Sequence, residues 1–109
     1  MKHKTSELTG NLLNQAVAKA EGRDVSQWGM IPRDAFYADL WALGGPIIER
    51  EGIALQPMQL RHPMNPATWV AHLRGVGRTD VQPQGHAEPL VAAMRVHVVS
   101  TLGEVIELP

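Results

Sequence analysis

The side chains able to do chemistry in this chain are few and scattered. Five histidines, His3, His62, His72, His86 and His97, are the natural metal ligands and proton carriers. No two stand four residues apart, and no His-Glu-x-x-His segment sets two imidazoles and a base on one helical face. With zero cysteines there is no thiolate nucleophile and no sulfur ligand. The pattern predicts solvated or hydrogen-bonded histidines, with no metal and no cofactor. His72 and His97 would converge only through the fold.

Arg74-Gly75-Val76-Gly77-Arg78 places a Gly-x-Gly between two cations, and backbone N–H groups in such a turn can cradle phosphate. It lacks the Walker pattern and the third glycine of the dinucleotide fingerprint, and no helical pattern follows at once, so a loop leaving a hairpin is the better reading. Glu49 and Glu51 sit two apart on a helical pattern and diverge, which suits solvated charge better than a paired-carboxylate acid and base. Ser6, Ser26 and Ser100 stand in no Gly-x-Ser-x-Gly elbow and near no recognisable His and Asp. No catalytic residue is expected.

Two features remain. Arg95 falls inside the apolar arc of a helical pattern, between Leu102 and Val99, where a cation must snorkel or find a carboxylate or a carbonyl; a structural ion pair outweighs ligand recognition. Trp28, Trp41 and Trp69 could form a binding surface, but with three Trp, one Tyr and one Phe in the chain the core needs most of its aromatics.

The elements that must position these residues belong to one domain, 1–109, since 109 residues leave no room for a second. A 44% hydrophobic and 19% charged composition is that of a folded globular chain. Ten Lys+Arg against eleven Asp+Glu give a net charge of -1, which argues against a dedicated nucleic-acid binder. The polar start Met1 to Glu7 has no signal-peptide core, and the uncharged stretch Leu40–Ile48 is half a membrane span, so a soluble cytoplasmic protein is expected.

Leu8, Leu12, Leu13, Ala16, Val17 and Ala20 predict an amphipathic helix from Ser6 to Ala20, capped by Thr5 or Ser6 and stopped at Gly22. Arg23–Pro32 reads as a loop pinned by Trp28. Helical spacing resumes over Asp34–Leu43 and again from Pro46 to Glu51, as two short helices or one kinked helix. The glycines of Gly44-Gly45-Pro46 imply a break in the backbone there, made either to admit Pro46 at a helix start or to let another element approach closely. Ile53–Met58 and Thr68–Leu73 alternate as the strands of an antiparallel hairpin with a long loop, and Arg74–Gly85 forms a second loop. Pro89 opens a helix through Leu102, with Leu90, Met94, Val98 and Leu102 as its stripe, and Glu104–Pro109 is a tail able to add a strand. The order α-α-β-β-α predicts an α+β domain, helices packed on a short antiparallel sheet in a helix-sheet-helix sandwich. Leu12, Ala16, Ile47, Leu55, Trp69, Leu90, Met94 and Val98 are the expected core.

Three stretches carry a family resemblance. Lys4-Thr-Ser-Glu-Leu-Thr-Gly-Asn-Leu-Leu-Asn-Gln-Ala-Val-Ala-Lys-Ala-Glu-Gly22, Trp41-Ala-Leu-Gly-Gly-Pro-Ile-Ile-Glu-Arg-Glu-Gly-Ile53 and Pro89 to Pro109 resemble, in order, the opening, central block and C-terminal helix of the NinX-like family of small phage and prophage proteins. Glu88 stands where that family usually has Thr, Val96-His97 replace its usual Cys-Tyr, and Ala38-Asp39-Leu40 depart from its Ser/Thr-rich helix cap. The resemblance implies an α-β-α sandwich and an accessory role, with no catalytic residue to carry over.

The expected function is that of a non-enzymatic phage or prophage accessory protein, a protein-interaction module whose partner comes from host or phage. It is expected in the bacterial cytoplasm, as a monomer or homodimer that touches no membrane. Trp41, Gly44, Gly45, Pro46 and Arg95 are its candidate interaction residues. Two alternatives stand beside it. One is a nucleic-acid-associated factor resting on Arg61, Arg74 and Arg78; the other is a small-molecule-binding protein or enzyme using a histidine or Arg95.

Overall fold

A computed structural model describes residues 1–58, 68–73 and 81–109. Its elements in chain order are β1 (Lys2–Lys4), α1 (Gly10–Ala20), α2 (Trp41–Glu51), β2 (Ile53–Met58), β3 (Thr68–Leu73), β4 (Gln84–His86), α3 (Pro89–Leu102) and β5 (Val105–Glu107). Single 3-10 turns cover Thr5–Glu7 and Arg33–Ala35. The chain is an α+β domain with short antiparallel sheets.

Helix α3 is the centre. Every residue from Leu90 to Val99 is buried, Arg95 and His97 included. A helix that is apolar nearly all round has no solvent face, so neighbours must cover it on every side. They do: α3 packs on β2, β3 and β4 and also on α1 and α2. The stripe Leu90, Met94 and Val98 is one part of that buried surface, while Leu102, in the last turn, is only half-buried.

The hairpin β2–β3 pairs Ile53 with Leu73 and Leu55 with Ala71, and Ile53, Ala71 and Leu73 are buried. Two strands go beyond the expected set. β4, three residues long, adds to β3 through Trp69–His86 and Ala71–Gln84. β1 pairs with the C-terminal β5, His3 opposite Ile106, so the two ends of the chain form their own ribbon. Periodicity over three residues is too short to declare a strand, whereas the pairing partner supplies the missing information.

Four expectations change. α1 begins at Gly10 rather than Ser6, because Thr5 leaves the helix to bind the far end of the chain: its Oγ1 donates to the Gly103 carbonyl at 2.7 Å and its N–H to the Glu104 carbonyl at 2.8 Å. Gly22, with φ +86, follows the end of that helix as expected. The expected helix over Asp34–Leu43 is absent before Trp41, where a 3-10 turn and a further turn precede α2, and only Trp41–Leu43 are helical, as the first residues of α2. α2 itself runs unbroken through Gly44, Gly45 and Pro46, so the inferred backbone break is absent. Pro46 lies one turn inside the helix, and the hydrogen bond it forfeits belongs to the carbonyl of Ala42, which is solvent-exposed and open to water.

The fourth concerns the core. Ala16, Ile47, Leu90, Met94 and Val98 are buried, but Leu12 is 42% exposed, and Leu55 and Trp69 are only half-buried. The buried side of α1 is carried by Leu13, Asn14, Ala16, Val17 and Ala18. Asn14 faces inward because its amide is satisfied there, which turns Leu12 outward.

Candidate functional site

The central block Trp41 to Glu49 proves to be a helix crossing. A methyl group built on Gly44 would lie 2.5 Å from the Tyr37 carbonyl and 2.6 Å from Leu90 Cδ1, so glycine is what lets α2 close onto α3 and the preceding turn. Beside Gly45 the space is open. Trp41 is 53% exposed at the start of α2, over a recess shared with Asp39, Glu88 and Pro89, and Pro46 is exposed. The candidate residues Trp41, Gly44, Gly45 and Pro46 therefore share one helix without forming one surface, since Gly44 is spent on packing.

Arg95 finds carbonyls. Its Nε donates to the Leu8 carbonyl at 2.8 Å and its Nη1 to the Gly85 carbonyl at 3.2 Å, and among the described residues no carboxylate lies within 4.0 Å. The preferred ion pair is thus replaced by two backbone acceptors. Burial lowers the guanidinium's proton affinity, though an arginine stays charged at neutral pH.

The histidines do not assemble. His86 Nδ1 accepts the Glu88 N–H at 2.9 Å, His3 and His72 are half-buried on separate sheets, and His62 lies outside the described residues. Among the described residues no three potential ligands gather. The loop cations Arg61, Arg74 and Arg78 and the Arg74–Arg78 glycine segment also lie outside them.

One ionic cluster escaped sequence reasoning. Glu21, just past the end of α1, accepts Arg50 of α2 through both oxygens at 2.9 and 2.6 Å, and its Oε2 also takes His97 Nε2 of α3 at 2.9 Å. Arg50 Nε in turn donates to Glu51 at 2.9 Å. A carboxylate at a helix C-terminus is unfavourable by itself, so the two partners hold it there. Arg50 keeps the Glu21 carboxyl below its ordinary value, working against burial, and His97 adds to the effect. A carboxylate-bound imidazole has the form of a general base, but His97 is 1% exposed and its Nδ1 is buried without a hydrogen bond among the described residues. No substrate reaches it. The cluster joins three helices.

A second assembly runs from the buried Asn14 out to the surface. Asn14 Oδ1 accepts the Ala38 N–H and its Nδ2 donates to Asp39, both at 2.8 Å. Arg23 donates to Asp34 Oδ1 at 3.1 Å and to the Tyr37 hydroxyl at 3.2 Å, and stacks over Trp28 at 5.0 Å. The Asn14 bonds hold the 23–39 segment to α1, the Arg23 contacts fold that segment on itself, and a groove of about 340 Å³ opens between segment and helix. Leu12, Trp28, Met30, Ile31 and Phe36 line it with the amides Asn11 and Gln15, and no charged side chain takes part. Leu12 is 42% and Met30 87% exposed. Sequence periodicity assigned Leu12 to the core because it cannot see that Asn14 is buried.

A family model described as Bacteriophage P22, NinX matches residues 4–101, from the end of β1 to the last turn of α3. The chain belongs to the NinX family. The matched stretch includes the α2–α3 crossing at Gly44, where glycine is a packing requirement in this chain. No curated protein matches it. NinX membership marks the chain as a phage accessory protein, and among the described residues no helix is long and apolar enough to cross a membrane.

Proposed function

We propose that this NinX-family chain acts without catalysis, in the cytoplasm of the bacterial host, by holding a protein partner in the groove between α1 and the 23–39 segment. The observation that supports this reading is the uncharged lining around Leu12, Trp28, Met30 and Phe36. Exposed Met30 and Leu12 offer apolar contact, and the amides of Asn11 and Gln15 offer neutral hydrogen bonds. A surface of this kind fits a partner that inserts uncharged apolar side chains, and it gives a phosphate backbone nothing to pair with. Apolar side chains left in water at this density are a common mark of contact surfaces.

The test compares the wild-type chain with a Leu12→Ser, Met30→Ser double variant as baits in phage-infected host cells. The expected result is a protein recovered by the wild type, lost with the variant, and bound directly when both are purified, while the melting temperature stays within about 2 °C, as for surface changes. Equal recovery by both baits overturns the reading. Recovery of nucleic acid whose binding weakens steeply with salt would favour the loop arginines instead.

A further inference from the structure

Gln84 is a buried polar residue that borders a cleft and keeps hydrogen-bonding capacity to spare. It is 6% exposed, yet its amide makes one long hydrogen bond, 3.4 Å from Nε2 to the Gln82 carbonyl, which leaves the second Nε2 N–H without an acceptor among the described residues. Buried amides in folded proteins are normally fully bonded, so an under-used one marks either strain or a binding position. Gln84 also forms part of the wall of a cleft of about 460 Å³. This cleft lies between β4, the free edge of the three-stranded sheet, and the β1–β5 ribbon.

The other walls have a definite character. Lys4 and Ser6 contribute an ammonium and a hydroxyl, while Pro83, Val99 and Val105 contribute apolar surface. Glu104 is the one carboxylate. Behind the wall stands Arg95, 7% exposed, whose Nη1 holds the carbonyl of the wall residue Gly85 and whose next helical turn supplies Val99. A guanidinium buried without a carboxylate is poorly screened by water, so its positive field reaches the cleft. Arg95 and Lys4 outweigh Glu104 by one unit of charge.

We propose that this cleft binds a small organic carboxylate carrying a short apolar body. The carboxylate accepts from the Lys4 ammonium, the Ser6 hydroxyl and Gln84 Nε2, and the hydrocarbon lies on Pro83, Val99 and Val105. Glu104 sets the preference for a monoanion, since a second negative charge would meet it. This site shares no lining residue with the groove proposed for a protein partner, and it stands or falls separately.

The test titrates the ¹⁵N-labelled full chain with isovalerate, with the neutral isostere isovaleramide, and with inorganic phosphate. Saturable shifts of the Gln84, Gly85 and Val105 backbone amides are expected with isovalerate, at least about tenfold weaker with the other two. Gln84→Leu should weaken isovalerate binding about tenfold and Lys4→Met about threefold, with resonances elsewhere unmoved. Shifts that do not saturate, equal binding of isovaleramide or phosphate, or wild-type affinity in Gln84→Leu would overturn the proposal. Should Gln84→Leu disturb the fold, the exposed Lys4→Met variant and the three-ligand comparison decide it.

Discussion

Gly44 and Gly45 are neighbours on one helix, and the same substitution should act on them with opposite sign. At Gly44 an alanine Cβ would lie 2.5 Å from the Tyr37 carbonyl and 2.6 Å from Leu90 Cδ1, whereas ordinary contact begins near 3.4 Å. Each neighbour must therefore yield by nearly 1 Å. Leu90 can rotate only within a packed core, and the Tyr37 oxygen is backbone, so the overpacking cost falls at the upper end of the usual range, about 3 kcal/mol. Alanine's helical preference over glycine returns about 1 kcal/mol, leaving a net loss of about 2 kcal/mol. In a domain of this size that lowers Tm on the order of 10 °C. At Gly45 nothing lies within 4 Å of the new methyl, so only the helical gain of about 1 kcal/mol operates and Tm should rise about 4 °C. Thermal and urea unfolding followed by far-ultraviolet circular dichroism measures both. Shifts of the same sign, in either direction, would refute the assignment of Gly44 to the helix crossing and of Gly45 to open space.

Three further outcomes follow from the same packing. Met94→Ala should cost about 2–5 kcal/mol as a buried cavity, while Leu12→Ala should stay within about 0.5 kcal/mol because that side chain is outside the core; denaturant midpoints distinguish the two. Glu21 is held below its ordinary carboxyl value first by Arg50, so its contribution is present above about pH 4.5 and is lost as the pH falls through the lowered folded value; Glu21→Gln should flatten that acid limb of the stability curve, and Arg50→Met should move the Glu21 carboxyl titration upward by NMR. A chelator should leave Tm unchanged, since a structural metal would contribute folding free energy directly; a large fall would show that the histidines had been undervalued.

The local chemistry of this chain made its long elements legible. The β2–β3 hairpin, the opening of α3 at Pro89 and its stop at Gly103, the end of α1 near Gly22 and the loop around Trp28 all follow from alternation, proline and glycine placement, which act within a few residues. Most of the expected core, from Ala16 to Val98, follows from apolar spacing alone. The strands β1 and β4 were hidden because three residues carry no periodic signal, and each forms only when a distant partner offers its edge. Thr5 was a good helix cap by type, yet its hydroxyl is claimed by Gly103 at the other end of the chain. The glycines before Pro46 suggested a break by their cost in a helix; the tertiary contact with Leu90 and Tyr37 decided that one of them is there for closeness and that the helix continues. The same holds for the candidate sites. Arg95 was recognisable as a cation in an apolar arc, but its acceptors at Leu8 and Gly85, the Glu21–Arg50–His97 cluster, the outward turn of Leu12 and the half-satisfied Gln84 each depend on residues brought together from separate elements. Local propensity is a property of neighbours in the chain, whereas hydrogen-bond satisfaction and burial are properties of neighbours in space.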